Sequence, residues 1–429
     1  MSKISKVRAI QVFDSRGVPT ISCKVNLDDA TSAIAMVPSG ASTGSKEALE
    51  LRDGNKAYHG KGVLNAVSNV NEKLSSLVIG KDPSDQNEID KILIEFDGTS
   101  DKSAIGANAI LAVSLATAKA ASIMQKIPLY KHFSNIYKNI TGDSANPVMP
   151  MPMFNILNGG EHSNNNIDIQ EFMIIPKSGN SFIDTIEIGY NVIQSLKKNL
   201  IKLGLNTNIG DEGGFAPYLS NTNEALDLLL KAISDSNYTP GEDISIALDI
   251  ASTEFFEDGQ YIFKGEGLSR NREEMLKFYE KIINNYPIVS IEDGMSEDDF
   301  DGWRELTEAF GDKVQLVGDD FFVTNIERLK KGIEQKAGNA ILIKPNQIGT
   351  LTETLETIMF AQKNGFKTII SHRSGETEDE IIADIAVGSN SEQIKTGSLA
   401  RSDRTSKYNQ LIRIEEELGI SGVLSKFPF

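Results

Sequence analysis

A chain of 429 residues, 40% of them hydrophobic, has the composition of a soluble globular protein and the length of two domains. Its formal charge is −17, from 43 basic and 60 acidic residues, and no basic stripe of the kind that lines a nucleic-acid groove is visible. No unbroken apolar run reaches the ~18 residues of a membrane helix, so neither direct nucleic-acid binding nor membrane insertion is expected.

The opening Met1-Ser2-Lys3-Ile4-Ser5-Lys6 is not followed by an apolar segment, and Asp14 and Arg16 soon interrupt it, so no secretory signal is expected. Residues 7–13 and 19–27 are β-rich and separated by the turn-like Asp14-Ser15-Arg16-Gly17. The lone Cys23 lies in the second run. It excludes an intrachain disulfide or a cysteine zinc cluster and fits a reducing cytoplasm. A small-residue loop follows at 38–44. Helical patterns are read over 62–77 and 104–125, the latter rich in alanine and ended by Pro128. Strands followed by helices make residues 1–138 an α+β domain.

Gly142, Pro147 and Pro150 mark 139–150 as a linker, opening a second domain over 139–429. Two strand-like runs, 153–157 and 169–175, come without a long helix between them. Helices are read at about 181–203 and 222–237, and regular strand–helix alternation starts only after them. A final helix is read from an N-cap at Ser402 or Asp403 to near Gly419.

In the alternating part, short apolar runs lead into Asp249, Glu292, Asp319, Lys344, His372-Arg373 and Lys395, with spacings of 43, 27, 25, 28 and 23 residues. A strand, a loop and a return helix take about 25 residues or more. In a parallel barrel all the strand C-termini open on one mouth. Read so, three carboxylates, two lysines, a histidine and an arginine share a pocket, which suggests metal-assisted chemistry on an anionic substrate. Taken singly, each carboxylate after a strand reads as a loop or N-cap residue; together they read as a site for a hard cation.

Several segments carry a resemblance. They are Val37-Pro38-Ser39-Gly40-Ala41-Ser42-Thr43-Gly44, Gly159-Gly160-Glu161-His162, Gln170-Glu171-Phe172-Met173, Gly210-Asp211-Glu212-Gly213-Gly214-Phe215 and Ser290-Ile291-Glu292-Asp293. Further on come Gly318-Asp319-Asp320, Leu342-Ile343-Lys344-Pro345-Asn346-Gln347, Ser371-His372-Arg373-Ser374-Gly375-Glu376-Thr377 and Lys395-Thr396-Gly397. In these the chain resembles the enolase family, the phosphopyruvate hydratases, in its bacterial form. The resemblance implies an α/β fold: a modified TIM barrel of ββαα(βα)6 order behind the smaller α+β domain. It also implies a homo-oligomer, dimer or octamer, and two Mg²⁺ ions per active site. The implied reaction is that of a hydro-lyase, the reversible dehydration of 2-phosphoglycerate to phosphoenolpyruvate in glycolysis.

By resemblance, Asp249, Glu292 and Asp319 hold one ion, and Ser42 reaches the second when its loop closes. Lys344 is the expected base at C2, its pKa lowered by Lys395 and the ions. Glu212 is the expected acid for the leaving hydroxyl, kept protonated by its neighbour Glu171. Arg373 and Ser374 are expected to grip the phosphate and Lys395 the substrate carboxylate. His162, Gln170, Glu171 and His372 complete the substrate site, with His162 also assisting proton transfer. Arg16 is a lesser candidate, read equally as a structural ion pair. In Ser163-Asn164-Asn165-Asn166 the chain departs from related bacterial sequences, which commonly carry an Asp there.

Two other readings stay open at this point. One is a related barrel enzyme acting on an unphosphorylated acid. The other is a binding or scaffold role with protein partners, as relatives have on the bacterial surface or in an RNA-degrading complex. The cytoplasm is the expected location, with surface display or secretion without a signal peptide alongside it.

Overall fold

A computed structural model describes residues 2–142 and 147–429. It opens with an antiparallel meander of β1 (Ile4–Phe13), β2 (Pro19–Leu27) and β3 (Ser32–Met36). The carboxylate of Asp14 makes the first turn, accepting from the N–H groups of Arg16 and Val18 at 2.8 and 2.9 Å. Alternate residues such as Ala9, Ile21, Cys23, Val25 and Ala35 are fully buried under the helices.

Those helices are α1 (Leu64–Ser68), which passes through a π-helical turn into α2 (Ser75–Val78), then α3 (Gln86–Asp97), α4 (Ala107–Gln125) and α5 (Leu129–Thr141). By length and composition α4 could cross a membrane, but 83% of that stretch is buried inside the protein. It is the core helix of the domain. A search for unbroken apolar runs passes over it because Asn108, Ser114, Thr117 and Lys119 interrupt the sequence. Three of these have fold partners: Asn108 holds the Leu51 backbone, Ser114 accepts from Leu351 N–H, and Lys119 pairs with Asp379 at 2.6 Å. α5 continues three residues into the stretch read as a linker, and residues 143–146 of that stretch lie outside the described residues.

The second part is a closed eight-stranded barrel. Its elements in order are β4 (Met151–Asn158), β5 (Glu171–Pro176), α6 (Phe182–Lys202), α7 (Thr222–Asp235) and β6 (Ile244–Asp249). A three-stranded excursion follows, β7 (Phe256–Glu257), β8 (Gln260–Phe263) and β9 (Leu268–Arg270), which fills the wide interval between Asp249 and Glu292. Then come α8 (Arg272–Asn285), β10 (Ile288–Glu292), α9 (Phe300–Phe310), β11 (Gln315–Gly318), α10 (Ile326–Glu334) and β12 (Ala340–Ile343). The chain closes with α11 (Pro345–Ile348), α12 (Leu351–Lys363), β13 (Lys367–Ser371), α13 (Ile381–Gly388), β14 (Gln393–Lys395) and α14 (Ser402–Leu418). α14 starts on Ser402 itself, with Arg401 at the N-cap position.

The order is ββαα followed by six βα units. β5 is antiparallel to both β4 and β6, whereas the other neighbouring strands are parallel. The reversal matters for the site. β5 runs downward, so its first residue, Glu171, stands at the mouth where the parallel strands end, opposite Asp249. Side chains alternate along each strand. Glu292 and Lys395 thus share the barrel interior with Ser290 and Gln393 one layer below, where Gln315 donates to Ser290 Oγ at 3.1 Å and exchanges bonds of 3.0 and 2.7 Å with Gln393. This buried polar layer is closed on itself, as burial requires.

The two parts meet at the barrel mouth. Ser39 and Gly375 exchange backbone hydrogen bonds of 2.8 Å in both directions, and Lys102 pairs with Glu353 at 2.9 Å.

Candidate active site

One cavity of about 10 Å³ lies at the C-terminal mouth of the barrel, lined by Ser42, His162, Gln170, Glu171, Glu212, Asp249, Lys344, Ser371, His372, Arg373, Ser374 and Lys395. Glu292 and Asp319 join it through the two lysines. All the residues singled out in the sequence are therefore brought together, apart from the lesser candidate Arg16, which lies one contact outside. The volume is room for about one water.

Lys395 is the hub. Its Nζ lies 3.0 Å from Asp249 Oδ2, 2.9 and 2.8 Å from the two Glu292 oxygens, and 3.1 Å from Glu171 Oε1. Burial would lower its pKa, but Asp249, Glu171 and Glu292 outweigh this and raise it well above the usual lysine range. The expected pairing of Lys395 with substrate carboxylate is thus taken up here by protein carboxylates. Glu292 is pushed up well above its ordinary value by burial and then by the charge of Asp249.

Lys344 is bound to Asp319 Oδ2, whose other oxygen accepts from Gln347 at 2.9 Å. Burial lowers Lys344, yet the Asp319 carboxylate overrides it and the pKa rises. The lowered pKa is expected with the ions and Lys395 as the neighbouring charges; here the nearest charge is the Asp319 carboxylate, which raises it. Asp293 braces the same corner: its two oxygens accept from the N–H groups of Asp319 and Asp320, both at 2.9 Å.

At the opposite wall, Glu212 lies between two imidazoles. His372 Nε2 is 3.1 Å from Oε2 and His162 Nε2 is 3.6 Å from Oε1, while His162 Nδ1 is 3.5 Å from Glu171 Oε1. Asn155 Nδ2 donates to Glu212 Oε2 at 3.0 Å. Burial raises Glu212, but the two histidines and Arg404 prevail and hold it well below its ordinary value. Glu171 goes the other way, raised by burial and by the charge of Glu212. Burial and the neighbouring charges thus push the two carboxyls apart, Glu171 upward and Glu212 downward. The loop carrying Glu212 turns at Gly213, at φ +86°, where a Cβ would meet Ala400 O at 2.9 Å.

Arg373 forks onto Glu47 at 2.9 and 3.1 Å and also reaches Ser42 O at 3.1 Å. Ser374 Oγ accepts from Ala41 N–H at 2.6 Å and from Arg16 at 3.3 Å. Arg16 also donates to the carbonyls of Ser39 and Gly40 at 3.3 and 3.2 Å. It is a clasp on the loop, with Asp14 as its ion-pair partner at 3.5 Å. The unusual asparagines are staples as well. Asn165 donates to Asn158 O and Pro217 O at 2.9 and 3.1 Å, and Asn166 donates to Leu219 O at 2.6 Å.

The donor set suits a hard divalent ion. Asp249 and Glu292 converge on one ammonium, a positive charge standing where a cation would be held. Glu171 Oε2, Gln170 Oε1 and His162 Nδ1 are buried without a hydrogen-bond partner. Among the described residues, ligand atoms already within 4.8 Å of one another occur in two groups, His162/Glu171/Glu212 and Asp293/Asp319/Asp320. The expected set of Asp249, Glu292 and Asp319 is not one of them, since the two lysines are inserted among its carboxylates. Asp293 is committed to backbone N–H groups and acts as a brace.

Sequence reasoning missed Glu47, Asn155, Asp293, Gln347 and Arg404. Asp293 and Gln347 stand inside recognised segments and could have been found by neighbourhood. Arg404, at the start of an ordinary helix, has no local signal.

Hard carboxylates, a lysine facing the cavity, a buried acid–histidine cluster and an arginine at one barrel mouth are the groups of an enzyme active site. Residues 146–426 match the enolase C-terminal TIM barrel domain and residues 4–133 match the enolase N-terminal domain. The chain belongs to the enolase family.

Proposed function

We propose that this chain, as a phosphopyruvate hydratase of the bacterial type, interconverts 2-phospho-D-glycerate and phosphoenolpyruvate with two Mg²⁺ ions per active site. The single observation that carries this reading is the shared cavity: Lys344, Glu212, Arg373, Ser374 and Lys395 all face one space at the barrel mouth.

The difficult step is removal of a proton from carbon beside a carboxylate. Asp249, Glu292, Asp319 and, from the loop, Ser42 would hold the divalent ions, which supply the positive charge an ene-diolate needs. Lys344 takes the C2 proton. It can do so only when Asp319 is engaged elsewhere, because Asp319 is what raises its pKa. Arg373 and Ser374 orient the phosphate, the guanidinium exchanging Glu47 for phosphate oxygens of like geometry. Gln170 and Lys395 orient the carboxylate end. Glu212 delivers a proton to the departing hydroxyl, with Glu171 and His162 as the neighbouring reservoir.

The exposed Ile10, Phe13 and Ile34 on the N-terminal sheet support a homo-oligomer. We place the protein in the cytoplasm, with further protein partners on its surface. Adding 2-phosphoglycerate with and without Mg²⁺ and following the ultraviolet absorbance of the enol product tests the reading. No turnover in the presence of Mg²⁺, or equal turnover of the unphosphorylated acid, overturns it.

A further inference from the structure

Arg404 is fully buried, and its guanidinium ties three segments together. Nη1 lies 2.6 Å from His372 Nδ1 and 2.5 Å from Arg373 O, and Nη2 donates to Ser374 O at 2.6 Å and Asp211 O at 3.1 Å. Nε lies 2.9 Å from the carboxylate of Asp403. The fork thus joins the start of α14 to the residue before Glu212 and to the phosphate-gripping segment after β13. Gly397 leaves room for its stem, since a Cβ there would meet Arg404 Cδ at 2.9 Å.

Arginine donates and cannot accept. At 2.6 Å, His372 Nδ1 must therefore offer a lone pair. An imidazolium would set two N–H groups against each other, so the ring is neutral and its proton sits on Nε2, the nitrogen 3.1 Å from Glu212 Oε2. Burial, reinforced by Arg404 and opposed by Glu212, lowers the pKa of His372 to about 3, in keeping with this. Glu212 Oε2 then accepts from Asn155 Nδ2–H at 3.0 Å and has the His372 Nε2–H group 3.1 Å away, close but not aligned as a hydrogen bond. A transferable proton on Glu212 has only Oε1 left, the oxygen on the His162 side.

We infer that Arg404 is a positioning residue for the acid: it holds His372 as the Nε2–H tautomer and so directs any proton delivered to Glu212 onto Oε1. This rests on the proposed role of Glu212. Arg404 does not itself line the cavity; it acts through wall residues, by way of His372 Nδ1 and the backbone carbonyls of Arg373, Ser374 and Asp211.

The chain has four histidines, so ¹⁵N-histidine NMR resolves the tautomer, with the His372 signals assigned by their loss in His372→Gln. In the full-length protein without substrate, His372 is expected to show a pyridine-type Nδ1 and a pyrrole-type Nε2 at neutral pH. A protonated Nδ1, or a mixture of tautomers, overturns the inference. Arg404→Lys keeps one charge and loses the fork. It is expected to slow dehydration about 10–100-fold, the usual range for a residue that orients a functional group. Exchange of the C2 hydrogen with solvent, which needs Lys344 and not Glu212, should stay within about threefold. Equal losses in both rates would reduce Arg404 to a structural role and overturn the inference. The tautomer is read without turnover, so an Nε2–H His372 in a protein inert toward 2-phosphoglycerate would sink the proposed function alone.

Discussion

Lys395 Nζ lies 2.9 and 2.8 Å from the two carboxylate oxygens of Glu292. The ammonium sits between the carboxylates that would hold a divalent ion, so lysine and metal draw on the same negative charge. Lys395→Met leaves those buried carboxylates uncompensated. In EDTA the variant is expected to lose about 3–5 kcal/mol of stability, the usual cost of breaking a buried ion pair. Added Mg²⁺ should raise its Tm more than it raises that of the parent. Calorimetry with and without Mg²⁺ checks this; equal metal-induced shifts would show that the two cations do not compete.

Lys344 and Glu212 line the same cavity but contact different partners, Asp319 on one side and the two histidines on the other. Lys344→Ala and Glu212→Gln are each expected to lower kcat by about 10²–10⁴-fold, the range for a lost general acid or base. They should separate in D₂O. Glu212→Gln retains exchange at C2 of 2-phosphoglycerate, whereas Lys344→Ala loses it. Mass spectrometry of recovered substrate distinguishes them, and normal turnover by Glu212→Gln would remove that residue from the acid role.

Gly40 carries the loop across the arginine. A Cβ there would lie 1.9 Å from Arg373 Nη2, and the fork cannot simply swing away because Glu47 and Ser42 hold it. Gly40→Ala is expected to displace the guanidinium and cost one charge-assisted hydrogen bond, about 1.5–3 kcal/mol. KM for the phosphorylated substrate should rise about tenfold or more, with a smaller change in kcat. An unchanged KM would show that the arginine moves freely.

Asp384 offers a pH test away from the catalytic groups. Its carboxylate accepts from Tyr130 N–H at 3.1 Å and Gln410 Nε2 at 3.0 Å, and burial pushes its pKa up from 3.8 to about 7. Between these values the folded chain holds a proton that the unfolded chain has released, so its contribution to stability falls as pH rises through the window. Above about pH 7 the cost of a buried carboxylate is fully present, and below about pH 4 both states are protonated. Asp384→Asn keeps the acceptor and removes the charge. Its Tm should match the parent near pH 4 and exceed it by several degrees near pH 8. A difference that does not vary with pH would contradict the shift.

Much of this was legible in the order of residues. The irregular opening of the barrel showed as two strand-like runs without a helix between them, and the structure resolves it as β4 and the reversed β5. The recurring apolar run ending in a charge showed the six parallel units, because side chains at strand ends in a barrel all meet at one mouth. The excursion β7–β9 stayed hidden inside the 43-residue interval: its strands are two to four residues long, too short for a periodic signal. The helix read over 104–125 is present as α4, but its membrane-compatible length was not apparent, since polar residues with tertiary partners broke its apolar run.

Residue types and their spacing were enough to determine which groups would gather: Asp249, Glu292, Asp319, Lys344, Lys395, His372 and Arg373 all reach the same mouth, and Glu212, singled out only by resemblance, joins them there. They could not determine which group neutralises which. That Lys395 serves Glu292, that Lys344 serves Asp319 and that Glu171 and Glu212 are shifted in opposite directions depend on close approaches between segments far apart in the chain. Charge interactions in a buried site vary with such distances and with burial, and neither is written in local sequence. Arg404 marks the limit most plainly. Nothing near it in the chain announces a role, and only the closing of the last helix against the first part of the site brings its guanidinium onto His372.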